Sequence, residues 1–151
     1  QNSRAAYNVF AFEIENVRSG EFIDNLAECN TAGFLVYDLD GITRYGKATR
    51  VHGNVARNNN VYNFAEPGTL VSDVPQGSGL MTLGDDKIEI FNNTITDHDT
   101  AGIVHTSYEV LGEPGDRRLD MYSETVNIYG NTFENNGNSL PLSTLFMFGC
   151  W

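Results

Sequence analysis

Val126-Asn127-Ile128-Tyr129-Gly130-Asn131-Thr132-Phe133-Glu134-Asn135-Asn136 is one copy of a phrase that this chain repeats. Its pattern is apolar-x-apolar-x-x-Asn-x-apolar-x-x-Asn. Ile88-x-Ile90-x-x-Asn93-x-Ile95-x-x-His98 is a second copy, and Thr49-x-Val51-x-x-Asn54-x-Ala56-x-x-Asn59 a third. Gly20-x-Phe22-x-x-Asn25-x-Ala27-x-x-Asn30 is a fourth, and Ser3, Ala5 and Asn8 hold the last three slots of an incomplete fifth. A repeat decides architecture before local propensity does. One unit cannot bury its apolar face alone and must stack on copies of itself.

A second phrase follows the first: small residue, apolar, x, apolar. It reads Ala11-Phe12-Glu13-Ile14, Gly33-Phe34-Leu35-Val36, Gly79-Leu80-Met81-Thr82 and Gly102-Ile103-Val104-His105. Alternation over three to five residues marks short strands with one buried face. Each turn of the repeat therefore holds about three strands separated by Asn- or Gly-marked corners. Ala11 to Gly33 spans 22 residues and Gly79 to Gly102 spans 23. A coil of strands with that rung length is a parallel β-helix, here of about five rungs over residues 1–139. At the corners, Asn tolerates left-handed backbone, and its amide can donate to the Asn of the next rung. Asn25, Asn54, Asn93 and Asn131 are thus expected to form a structural ladder.

Within this frame the chain resembles the right-handed parallel β-helix repeat proteins of bacteria, a group that includes NosD-type periplasmic proteins, mannuronan epimerases and polysaccharide lyases. Phe12-Glu13-Ile14-Glu15-Asn16, Gly33 to Leu39, Ile88 to Ile95, and Asn59 to Ala65 followed by Pro67-Gly68 carry the resemblance, which covers Asn2 to about Ser139. It implies a right-handed solenoid and an extracellular or periplasmic, carbohydrate-related protein. It does not identify a substrate, because this fold hosts lyases, epimerases and inert scaffolds alike.

Composition limits the partners. A formal charge of −11 disfavours nucleic acid and an anionic membrane surface. It also disfavours a polyuronate unless a local Arg/Lys patch or Ca²⁺ supplies positive charge. No run of 18 apolar residues is present, so no membrane insertion is read. No signal peptide is read either, and an opening in mid-rung suggests a processed or truncated fragment. Residues 140–151 are apolar and lack the Asn rhythm, so they are expected to cap the last rung or to form an oligomer contact. The opening rung shows no cap, which leaves an end-to-end homo-oligomer open. Cys29 precedes a corner Asn and reads as a small buried thiol; Cys150 lies in the tail.

The insertions point most directly to function. Residues 37–48 and 106–125 leave the coil at the same corner, with only Leu83 to Lys87 on the rung between them. Long, short, long at one corner builds two walls roughly 10 Å apart, two rungs of about 4.8 Å each. That is the width of an extended sugar chain. Tyr37, Tyr45 and Tyr108 are the stacking candidates. Arg44, Lys47, Arg117 and Arg118 would neutralise a uronate carboxylate, with Tyr108 or His105 as acid or base and Arg44 as the catalytic cation. These residues would bind or process an acidic polysaccharide in a lyase or epimerase manner. The bland alternative is a solvated loop surface on a non-catalytic scaffold or binding module. The third insertion, Val61 to Ser78, leaves from another corner and need not contribute to this notch.

The remaining motifs read more simply. His52 takes an outward slot. His105 takes the slot of Ile14, Val36 and Thr82, which makes a core imidazole the simpler reading and a catalytic one the alternative. His98, between Asp97 and Asp99, reads as a substituted corner Asn. Asp38 with Asp40, and Asp85 with Asp86, offer hard oxygens of the kind Ca²⁺ takes, at loose spacing. Asp97 with Asp99 does the same. Asn92-Asn93-Thr94 matches a glycosylation sequon but falls within a ladder corner.

Overall fold

The computed structural model describes residues 1–139, which are all-β, with no α-helix among them. The strands are β1 (Arg4–Ala5), β2 (Phe10–Glu15), β3 (Glu21–Ile23), β4 (Leu26–Glu28), β5 (Ala32–Tyr37), β6 (Arg50–His52) and β7 (Val55–Arg57). They continue as β8 (Ser78–Leu83), β9 (Glu89–Phe91), β10 (Thr94–Thr96), β11 (Ala101–Thr106), β12 (Asn127–Tyr129) and β13 (Thr132–Glu134). Three parallel sheets result, ordered β3-β6-β9-β12, β1-β4-β7-β10-β13 and β2-β5-β8-β11. From β1 to β12 every third strand returns to the same sheet, so strands of neighbouring copies lie side by side, as the repeat requires. No helix among the described residues is long and apolar enough to cross a membrane. The expected cap at 140–151, with Cys150, lies outside the described residues.

Register places the apolar slots in columns. Phe22 pairs with Val51, Val51 with Ile90 and Ile90 with Ile128. Phe34 stands between Phe12 and Leu80, and Leu80 pairs with Ile103. Members of all three sheets meet in one buried cluster that includes Phe22, Ala27, Phe34, Val51, Ala56, Leu80, Ile90 and Ile95. The Phe12 and Phe34 rings stack at 5.3 Å, with Phe22 tilted against Phe34 at 5.3 Å. The small residue that opens the second phrase has a steric cause. A Cβ on Gly33 would lie 2.2 Å from the Gly79 carbonyl oxygen, and one on Gly79 would lie 2.5 Å from that of Gly102.

Two polar ladders run beside this core. Asn25 Nδ2 donates to Asn54 Oδ1 at 3.1 Å, Asn54 Nδ2 to Asn93 Oδ1 at 3.0 Å, and Asn93 Nδ2 to Asn131 Oδ1 at 2.9 Å. Each acceptor oxygen also takes the backbone N–H of the donating Asn. The second ladder links Asn8, Asn30 and Asn59, reaches His98, and ends at Asn136.

The backbone reason differs from the expectation that the ladder Asn itself takes the left-handed turn. That turn falls on the residue before it: Asp24, Gly53, Asn92 and Gly130 have φ of 52°, 67°, 53° and 65°. The ladder Asn is there for its amide. Cys29 occupies one such left-handed position, at φ 56°, and is half-exposed rather than buried.

Candidate functional site

Corner lengths between the third sheet and the first follow the sequence reading: residues 38–49 after β5, 84–88 after β8, and 107–126 after β11. The long segments do not stand as separate walls. Asp40 accepts the Gly115 N–H at 2.6 Å and the Asp116 N–H at 3.0 Å, and the Tyr45 hydroxyl donates to Asp116 Oδ2 at 2.8 Å. Arg118 lies over the Tyr45 ring, 5.9 Å from its centroid, and donates from Nε to Asp116 at 3.0 Å. These bonds hold the Asp116 carboxyl well below the usual carboxylate range, Arg118 being the main cause. The two segments are therefore joined to each other, where the sequence reading expected an open notch between them. Beside this junction is a polar cleft of about 410 Å³.

The cleft is assembled largely from the 38–49 segment and its neighbours. Asn16, at the end of β2, receives the Leu39 N–H and donates to the carbonyls of Leu39 and Arg44, which fixes the segment on the rung before it. Asp38 accepts the Gly46 N–H at 2.7 Å, folding the segment back on itself. Lys47 then forms parallel backbone bridges with Arg18 on one side and Asp86 on the other. Arg18 and Lys47 consequently occupy the same register position on adjacent copies of the repeat, and both side chains are exposed. Among the described residues no ion pair within 4 Å engages Arg18, Arg44 or Lys47, and all three line the cleft.

Two carboxyls of this region are buried, Asp38 in the cleft lining and Asp85 outside it. Burial raises Asp38 to about 6, against the pull of its bond from Gly46 and with the Asp86 charge adding. Burial raises Asp85 to about 7, with the charges of Asp38 and Asp86 adding and the nearby Thr49 hydroxyl pulling the other way. Asp85 Oδ1 and Thr49 Oγ1 are buried without a partner at hydrogen-bond geometry. Both carboxyls are thus held above the usual carboxylate range, burial being the first cause in each.

The proposed catalytic residues are not brought together. Arg44 lines the cleft. Tyr108 is buried, its N–H donating to the Met121 carbonyl, and its ring packs against Gly84. Burial raises its hydroxyl's pKa. His105 points along the inward column of Thr82, with Nδ1 2.7 Å from Thr82 Oγ1. Yet it is exposed, because β11 is the last strand of its sheet among the described residues.

Of the proposed substrate residues, Tyr45, Lys47 and Arg118 line the cleft, but the Tyr45 ring is covered by Arg118. Arg117 is exposed and outside the lining. Tyr37 lies on the outer face of the third sheet, in a different depression.

The acidic pairs also separate. Asp40 caps the 107–126 segment, Asp38 holds Gly46, and Asp85 turns into the interior. Asp86 gathers instead with Asp120 and Glu124, their carboxylate oxygens within 4.8 Å of one another. Asp86 already accepts the Glu124 N–H at 2.9 Å, so the trio offers fewer free oxygens than the six to eight that Ca²⁺ takes.

Arg18 was not singled out by sequence, and Asp38 was singled out as a calcium ligand rather than as part of the cleft lining. The signal for Arg18 was its place one rung before Lys47. The chain matches no family profile, no curated protein and no solved structure.

Proposed function

We propose that this chain is a right-handed parallel β-helix, exported to the periplasm or cell exterior, whose cleft over residues 38–49 binds an acidic saccharide. The cyclic visiting of three parallel sheets supports the coil, and parallel crossovers are right-handed in about 98% of cases. The binding reading rests on one observation. Arg18 and Lys47 are held at one register position on adjacent copies of the repeat, beside Arg44, without an ion-pair partner in a chain of net charge −11. Like charges fixed at strand spacing repel, and an anionic group between them relieves that repulsion. Asp38, Asp86 and Asp120 in the same lining supply acceptors for sugar hydroxyls.

Calorimetric titration with oligouronates and with neutral oligosaccharides of equal length tests this. The acidic series should bind at least about tenfold tighter, and Arg18→Ala with Lys47→Ala should remove the difference. Equal affinity for both series, or an unchanged preference in the double variant, would overturn the reading. A non-catalytic module is favoured because Tyr45, Asp116 and Arg118 satisfy one another and, among the described residues, neither Tyr108 nor His105 lines the cleft. An assay for unsaturated products separates this from a lyase.

A further inference from the structure

The outer face of the third sheet, which a regular half-buried strand would leave polar, is apolar. Leu35 and Tyr37 on β5, Met81 and Leu83 on β8, and Val104 on β11 form a second buried cluster there. Two insertions flank it. The segment between β7 and β8 brings a 3₁₀ turn, Leu70–Asp73, with Val71 and Val74 against the cluster. The segment after β11 brings another, Tyr108–Leu111. Between them lies a groove of about 320 Å³, within the size range of small-molecule sites. The insertion at Val61 to Ser78 contributes nothing to the lining of the saccharide cleft and builds one wall here.

Charge at this groove has one sign. Its lining contains Asp73 and no Lys or Arg. The Tyr37 ring forms part of the floor, and its hydroxyl lies 2.7 Å from Glu15 Oε2 and 3.2 Å from Glu13 Oε2. A phenol has one proton, so it donates to one of these carboxylates at a time. No ion pair within 4 Å engages Glu13 or Glu15 among the described residues. Glu13 and Glu15 are outside the lining itself, on β2 beside Leu35 and Tyr37, so the apolar trough has a pair of carboxylates next to it and matches an amphiphilic cation in both shape and charge.

We propose that this groove binds a small amphiphilic cation, an alkyl or aryl chain bearing an ammonium group, with the chain over Leu35 and Met81 and the ammonium beside Glu13 and Glu15. This site is separate from the saccharide cleft and stands whether or not that reading holds. The test titrates the full chain with decyltrimethylammonium, decanol and decanoate, all below their micellar concentrations, by calorimetry and by NMR of the Met81 methyl.

Decyltrimethylammonium should saturate one site, shift the Met81 methyl, and bind about tenfold or more tightly than decanol. Glu13→Gln with Glu15→Gln should remove that preference while decanol still binds. Val110→Trp, filling the groove from its exposed rim, should weaken both. Failure of the cation to saturate would overturn the proposal. So would decanol or decanoate binding equally well, or a preference that survives the double Gln variant. The Glu positions are exposed, so their substitution tests the site without risk to the core.

Discussion

His98 shows how a ladder position accepts an unexpected side chain. Asn59 Nδ2 can only donate and Asn136 Oδ1 can only accept, so Nε2 is bare and Nδ1 carries the proton. A second proton would set two donors against each other in a site with no solvent exposure. Burial lowers the His98 pKa, with its bond to Asn136 and the flanking Asp97 and Asp99 charges pulling it back up. A depressed folded-state value means stability present above the unfolded pKa and lost as pH falls through the folded one. Relative to His98→Asn, the wild-type urea midpoint should therefore lose ground on acidification below about pH 6.5, the ordinary His value; a difference between the two that does not change with pH would contradict this.

Asp38 and Asp85 act with the opposite sign. Their raised values contribute stability that is full below about pH 4 and lost as pH rises through about 6 and 7. Asp85→Asn should raise stability at pH 8 by on the order of 1 kcal/mol, since it removes a buried charge with an unpartnered oxygen. A midpoint at pH 8 that is unchanged or lower would contradict this. Asn93→Leu should cost about 1–3 kcal/mol by stranding Asn54 above and Asn131 below. The urea midpoint reads this directly.

At the scale of strands and corners, the sequence is most legible where spacing repeats. Phe22, Val51, Ile90 and Ile128 share a slot in the phrase and a column in the sheet, because register follows from equal spacing between corners. The alternation of long and short corners was readable for the same reason. That the long segments join each other was not. The bond from Gly115 to Asp40 spans 75 residues, and no local pattern encodes it. Nor was the apolar outer face of the third sheet distinguished, because Leu35, Met81 and Val104 alternate with inward residues that are also apolar. The inward and outward sets differ only in what covers them.

Asp40→Ala should release the 107–126 segment from its partner. Backbone amides at 115 and 116 should then exchange faster, while the urea midpoint shifts by less than about 1 kcal/mol, as expected for bonds at a partly exposed site. Unaltered exchange at those amides would show that Tyr45 and Arg118 suffice to hold the segment.

Over the molecule as a whole, strands of each copy of the repeat pair with those of the copy before and the copy after. Stability is then close to a sum of neighbour terms, and the central copies carry the most of them. Amide protection should be greatest in β6 to β10 and least in β1 and β13. The outward side chains add little to this gradient. His52, Phe91 and Tyr129 stack face to face at 4.6 Å and 5.1 Å along the first sheet, so His52 and Phe91 turn their ring faces toward one another rather than toward a ligand.

One corner hands the chain from the third sheet back to the first through segments of very different length, yet the paired strands on either side keep their register. Doubling a flexible loop costs only about 0.6 kcal/mol in closure entropy. That corner therefore behaves as a socket. The 38–49 and 107–126 segments can be exchanged for others of different length and chemistry while the strand columns beneath them stay in place, so new binding specificities can be tried on this frame without refolding it.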